Sequence, residues 1–330
     1  MIIKLAAAFI MSLILTVLIG SVLVPTLRKI HAGQSIREDG PKWHMTKQGT
    51  PTMGGLMFII SIGIVSLILG YSSMKAGDLR HVFVYIFALF YAAIGFLDDY
   101  EKLKKKQNMG LTAKQKFLLQ LAVAIAFIFL LRGFGYLSPN LYIPFFDKTI
   151  PINEVVYFIF AAFVMVGTVN AVNLTDGIDG LAAGVTIPVA LFYMAVSAAW
   201  GYESLGVFGA ALTGGLMGFL VFNFHPAKVF MGDTGSLFLG GIVCAMAFAL
   251  DMPLILITVG IVYIIETLSD IIQVLYFKIT HGKRIFKMAP IHHHFEMCGW
   301  SEEKVFFVFS TVSAIFAVIS YIAVRGRYGL

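Results

Sequence analysis

The chain has 330 residues, of which 59% are hydrophobic and only 13% charged, with a mean hydropathy of +0.88. A globular surface needs about a quarter charged residues, so this composition excludes a soluble domain. The net charge of +6 does not point to nucleic acid, because its distribution along the chain has a simpler cause in membrane topology.

Apolar windows of roughly 20 residues, long enough to cross a bilayer, recur at 3–24, 52–70, 81–97, 117–131, 153–171, 181–199, 205–222, 236–250, 252–277 and 304–324. The pattern predicts an all-α, polytopic membrane protein of about ten helices, forming a single domain over residues 1–330. The first window is of full spanning length and shows no cleavage pattern, so it is expected to stay as the first helix. Cys244 falls inside a helix and Cys298 beside a histidine run, which argues against a structural disulfide.

The cations assign an orientation. Arg28, Lys29, Arg37, Lys42 and Lys47 follow the first window, and Lys102, Lys104, Lys105, Lys106, Lys114 and Lys116 follow the third. Lys228 follows the seventh, and Lys278, Lys283, Arg284, Lys287 and Lys304 lie around the ninth connection. These odd-to-even loops hold 17 of the 24 Lys and Arg residues. The positive-inside rule then puts them in the cytoplasm and both termini outside.

Gly49-Thr50-Pro51-Thr52-Met53-Gly54-Gly55 opens the second window without the Gly-Lys-Ser/Thr ending of a P-loop. Its glycines suit close packing, and Lys47 just before it is a candidate phosphate contact. Asp98 and Asp99 end the third window. Carboxylates at a helix C-terminus oppose the macrodipole and repel each other, which favours a bound cation or a shared proton. Adjacent residues on a helix point in different directions, so the two acids are expected to have unequal roles. Tyr142 to Ile152 is β-rich around a polar Asp-Lys centre and predicts a small external hairpin.

Asn173-Leu174-Thr175-Asp176-Gly177-Ile178-Asp179-Gly180 joins the fifth and sixth windows. One Asp is explained as the N-cap of the next helix. Capping does not need both acids, nor Gly177 and Gly180, which allow close backbone approach to a ligand. The segment from Asn223 through Phe230 to Asp233 and Ser236 precedes the eighth helix, where free N–H groups beside an acid suit a phosphate–metal site. Glu266 and Asp270 lie in the ninth span towards its cytoplasmic half, where the helix is expected to break or leave the membrane. Last, Met-Ala-Pro-Ile-His-His-His-Phe-Glu over 288–296 puts three histidines in a basic loop.

The carboxylates of the predicted cytoplasmic side cluster, whereas Asp78, Asp147, Glu154, Glu203 and Asp251 are scattered singly outside. A transporter would place ionisable groups near the bilayer midplane, and the first eight spans are nearly free of them. Acids without matching partners call for Mg²⁺, with Asp233 and Asp99 as metal ligands. Mg²⁺ with lysines and histidines points to a polyphosphate, and the membrane boundary points to a lipid as second reactant. Phosphoryl transfer from a nucleotide diphosphate compound to a lipid phosphate meets all three conditions.

The motifs GTPTMGG, GFLDDYEK, NLTDGIDGLA, FNFHPAKVFMGDTGSL and MAPIHHHFE occur in that order. Together they resemble the phospho-N-acetylmuramoyl-pentapeptide-transferase family, among the polyprenyl-phosphate N-acetylhexosamine-1-phosphate transferases. The match runs from about Lys47 to Glu296. It implies transfer of phospho-MurNAc-pentapeptide from UDP-MurNAc-pentapeptide to undecaprenyl phosphate, giving lipid I and UMP. It further implies Mg²⁺, a homodimer among membrane lipids, and a place in the bacterial cytoplasmic membrane with the active site facing the cytoplasm.

Carried over by position, Asp98, Asp99, Asp233 and His292 match catalytic positions of the family. Lys47, Lys102, Lys114, Asn173, Asp176, Asp179, Asn223, Phe230, His293 and His294 match substrate positions. Among the histidines, His292 is expected to meet the substrate, His293 to rank second and His294 to be mainly structural. A sister transferase for UDP-GlcNAc would keep the acidic motifs and change the sugar-facing loop. A nucleotide-sugar transporter would need a polar path through the bilayer, which the sequence lacks.

Overall fold

The computed structural model describes residues 1–29, 47–105, 107 and 109–328. Arg37, Lys42 and Lys106, three of the cations used for orientation, lie outside the described residues. In chain order the helices are α1 (Ile2–Lys29), α2 (Leu56–Leu69), α3 (Tyr71–Lys75), α4 (Arg80–Lys105) and α5 (Ala113–Gly133). A two-stranded sheet follows, then α6 (Glu154–Thr175), α7 (Leu181–Ala199), α8 (Glu203–Asn223) and α9 (Gly232–Ala249). The chain closes with α10 (Leu256–Val259), α11 (Ile261–Ile279), α12 (Ile291–Met297) and α13 (Glu302–Ala323).

Among the described residues, eight helices are long and apolar enough to cross a bilayer: α1, α4 to α9 and α13. A ninth span is broken at Gly260, where α10 and its preceding turn meet α11 at 80°. The break falls six residues before Glu266, at a glycine, the residue with the weakest helix propensity after proline. The predicted span 52–70 shrinks to α2, 14 residues long. At 1.5 Å per residue that is about 21 Å, short of a bilayer core of about 30 Å.

The start of α2 is delayed because its leading backbone is engaged elsewhere. Phe230 N–H donates to Pro51 O at 2.8 Å, Gly54 N–H to Phe230 O at 2.9 Å, and Gly55 N–H to Met231 O at 3.0 Å. Met53 takes a positive φ of 67° to allow this pairing. Gly55 lies so close to Gly235 that any side chain on either would collide with the other's backbone. Close backbone approach through small residues is how membrane helices pack.

α9 is the central helix, buried from Thr234 to Ala249, with α4 and α6 packed along it. Outer helices show the opposite pattern. Ile10, Ile14 and Leu18 of α1, and Ile315, Val318 and Ile322 of α13, are all more than half exposed. Such rows of bare aliphatic side chains, three or four residues apart, suit a lipid solvent and not water.

The hairpin expected over 142–152 is present as β1 (Asn140–Ile143) paired antiparallel with β2 (Lys148–Pro151), Tyr142 opposite Thr149. It is pinned to the end of α13 by Phe145 N–H donating to Ala323 O at 3.0 Å and by Arg327 stacked 4.4 Å from the Tyr142 ring.

Candidate active site

The acids singled out in the sequence converge at one end of the bundle, where α4, α6 and α8 finish and α5, α7, α9 and α13 begin. Asp98 and Asp99 on the last turns of α4 are both buried. Asp99 accepts hydrogen bonds from Thr234 N–H at 2.9 Å, Thr234 Oγ1–H at 2.7 Å and Asp233 N–H at 3.2 Å. α9 has no side-chain cap of its own, so Asp99 caps it from the neighbouring helix. The unfavourable position of Asp99 at the C-terminus of α4 is thus offset by the positive end of α9.

Asp98 serves differently. Its Oδ1 accepts from Leu111 N–H at 2.8 Å, and its Oδ2 lies 2.6 Å from Lys102 Nζ. Asp233 sits between the two systems. Its Oδ2 receives Lys102 Nζ at 3.0 Å and Lys116 Nζ at 2.7 Å, and its Oδ1 accepts from Asn173 Nδ2 at 2.9 Å. Asn173 also donates to Ser236 Oγ at 2.7 Å. One oxygen from each of Asp98, Asp99 and Asp233 lies within 4.8 Å of the others. Three hard carboxylate donors in one pocket fit Mg²⁺ better than a soft metal. The two adjacent acids thus have different partners, Leu111 and Lys102 for Asp98 and the start of α9 for Asp99.

A second cluster surrounds Asp179. Lys47 Nζ bridges Asp179 Oδ1 at 2.8 Å and Glu302 Oε2 at 2.6 Å. His225 Nδ1 lies 2.9 Å from Asp179 Oδ2, which also accepts from Ala227 N–H at 3.0 Å. Neither acid of this loop caps α7. Its N-cap is Gly180, with φ of 76° and no side-chain hydrogen bond, because the Asp179 carboxylate is committed to the 225–227 loop.

Asn223 stitches the loops together, accepting from Gly180 N–H at 3.1 Å and donating to Val229 O at 2.9 Å. Phe230 is half-buried and tied to Pro51 by its backbone. Asp176 ends α6 between the clusters. Desolvation, and then the charges of Asp233, Asp99 and Asp179, push its carboxyl well above the usual carboxylate range.

The histidines lie on a helix, α12, and not on the extended or tightly turned loop expected from the sequence. Pro290 stands at its N-cap, a position where a missing N–H costs nothing. His292 is fully buried, with Nδ1 2.8 Å from Glu266 Oε2. His293 Nδ1 lies 2.6 Å from Glu296 Oε2, and His294 Nδ1 accepts from Lys287 N–H at 3.1 Å. Phe295 anchors the far end by stacking on Trp300 at 4.5 Å.

Lys114 is exposed, and Lys116 is the lysine that reaches Asp233. The predicted helix start at 117 left both in a loop, where their directions could not be read. α5 begins at Ala113, so residues two apart point to nearly opposite sides. His225 and Glu302 also joined the site unannounced. Only the tertiary fold brings Glu302, 255 residues from Lys47 in the chain, to within 2.6 Å of it.

The glycosyl transferase family 4 model matches residues 81–251 of this chain. Phospho-N-acetylmuramoyl-pentapeptide-transferase signature 1 matches residues 47–59. The phospho-N-acetylmuramoyl-pentapeptide-transferase of Oceanobacillus iheyensis is 49% identical, covering 94% of this chain and 94% of its own length. Those of Clostridium acetobutylicum and Staphylococcus carnosus are each 48% identical, covering 94% of this chain and 96% of their own. The chain belongs to the phospho-N-acetylmuramoyl-pentapeptide-transferase family. In this transferase the signature segment supplies Lys47 to the Asp179 cluster and the backbone that holds Phe230 and Met231. The longer match contains all three acids of the first cluster and stops before α11 and the histidines.

Proposed function

We propose that the chain transfers phospho-MurNAc-pentapeptide from UDP-MurNAc-pentapeptide to undecaprenyl phosphate, giving lipid I and UMP. The observation that carries the chemistry is the convergence of Asp98, Asp99 and Asp233 with Lys102 and Lys116 in one pocket. Asp233 and Asp99 hold Mg²⁺ in this reading, and Asp98 borders the same pocket. Bound there, Mg²⁺ would supply charge neutralisation for the diphosphate.

The protein groups have separate tasks. Asp98 deprotonates or orients the lipid phosphate, one oxygen of which attacks the β-phosphorus. The bond from that phosphorus to the bridging oxygen breaks, and UMP leaves with the electron pair. Lys102 and Lys116 exchange part of their contact with Asp233 for the diphosphate oxygens. Lys47, Asn173, Asp176, Asp179, Asn223 and Phe230 hold the nucleotide, and His293 and His294 border it from α12. A single displacement is favoured because positioning and electrostatics supply most of phosphoryl-transfer catalysis.

In the same reading the protein is a homodimer in the bacterial cytoplasmic membrane, with both termini outside and the site facing the cytoplasm. The cation distribution supports that orientation.

The deciding experiment is UMP release by purified protein. Release is expected only when UDP-MurNAc-pentapeptide, undecaprenyl phosphate and Mg²⁺ are all present. Lipid-independent release, or a preference for UDP-GlcNAc, would overturn the reading. Within that assay, Lys116→Ala should lower kcat/KM at least about tenfold, the scale of losing a charge-assisted hydrogen bond. Lys114→Ala, at an exposed position, should stay within about twofold. Equal losses in the two variants would mean that Lys116 does not serve the diphosphate.

A further inference from the structure

Glu266 and His292 belong to neither acid cluster, yet both are fully buried. A carboxylate accepts and does not donate, so His292 Nδ1–H donates to Glu266 Oε2, at 2.8 Å. The other two polar atoms of the pair, Glu266 Oε1 and His292 Nε2, have no hydrogen-bond partner among the described residues. Replacing a buried charged pair by apolar side chains of the same volume is often neutral or stabilising. Stability alone is a poor reason for this arrangement.

The direction of Nε2 supplies another reason. Gly177 is the residue its tip meets, and any Cβ at position 177 would collide with Nε2 and crowd Cε1. Gly177 itself is exposed and follows Asp176, which ends α6 between the two clusters. The imidazole therefore backs the turn that carries Asp176, whose carboxyl feels the charges of Asp233, Asp99 and Asp179. Glu266 lies beyond the 80° bend, on α11, which packs against α6.

We propose that Glu266 is a positioning residue: it fixes the His292 ring against Gly177 and so sets where Asp176 stands relative to the nucleotide diphosphate. His292, covered by Gly177, acts on the substrate through this turn and not by touching it. The inference rests on the transferase reading for its substrate, while the brace itself can be tested without substrate.

The first measurement is hydrogen–deuterium exchange over residues 173–180 in the purified full-length chain with no substrate added. Glu266→Met keeps the bulk and removes the acceptor, and should raise exchange there at least about fivefold through local opening. Glu266→Gln keeps an acceptor for Nδ1–H and should stay within about twofold of wild type. Unchanged exchange in Glu266→Met, or equal exchange in the two variants, overturns the brace.

The second measurement is steady-state kinetics. Glu266→Met and Gly177→Ala should each raise KM for UDP-MurNAc-pentapeptide about tenfold, as loss of a supporting residue does, with kcat within about twofold. The cost of Gly177→Ala should shrink in a His292→Ala background, because the ring it strikes is gone. An identical cost with and without the imidazole overturns the proposal. A wild type that releases no UMP would overturn the transferase reading, and the exchange result would still decide the brace.

Discussion

Asp233→Asn is expected to lower turnover at least about a hundredfold, the scale of removing one preorganised electrostatic group, while the protein remains folded. The change replaces one oxygen with NH₂ and removes one charge. The remaining oxygen can still accept from Asn173 Nδ2, at 2.9 Å in the native protein. The new amide would face Lys102 and Lys116, which donate to Asp233 Oδ2 at 3.0 and 2.7 Å. Donors would then oppose donors, and the carboxylate best placed for Mg²⁺ would be lost. UMP release measured across Mg²⁺ concentrations checks this, with a thermal melt as the control for folding. Near-normal activity at limiting Mg²⁺ would remove Asp233 from the metal site.

The helices and the acids were legible because they rest on local chemistry. A run of about 20 apolar residues has few other uses, and adjacent buried acids demand partners wherever the chain puts them. Asp98, Asp99, Asn173 and Asp233 accordingly meet in one pocket. What stayed hidden depends on contacts between distant segments. The length of α2 is set by Phe230 and Met231 pairing with residues 51–55, and no local periodicity reports that. One of Asp176 and Asp179 is expected to cap the next helix, yet the oxygens of Asp179 are taken by Ala227 N–H, His225 and Lys47. The resemblance singles out Lys114 and not Lys116, whereas the start of α5 at Ala113 turns Lys116 towards Asp233.

Asp98→Asn and Asp99→Asn should separate catalysis from architecture. Asn at 98 can still accept from Leu111 N–H, and its NH₂, although it opposes Lys102, can donate to the neighbouring Asp233, so it loses chiefly the charge. That variant should melt close to wild type yet lose at least about a hundredfold in turnover, as expected when a general base or its orienting charge is removed. Asn at 99 brings an NH₂ group among donors, because Thr234 N–H, Thr234 Oγ1–H and Asp233 N–H all point at this carboxylate. A buried donor left unpaired costs about 1–3 kcal/mol. Asp99→Asn should therefore melt lower and lose activity together, because it removes a ligand of the proposed Mg²⁺ site and also loosens the first turn of α9, which carries Asp233. Melting temperature and turnover on both variants decide between these roles, and matching profiles would refute the division. If the purified protein forms an aspartyl-phosphate from UDP-MurNAc-pentapeptide without lipid, Asp98 or Asp99 is a nucleophile and the single displacement is wrong.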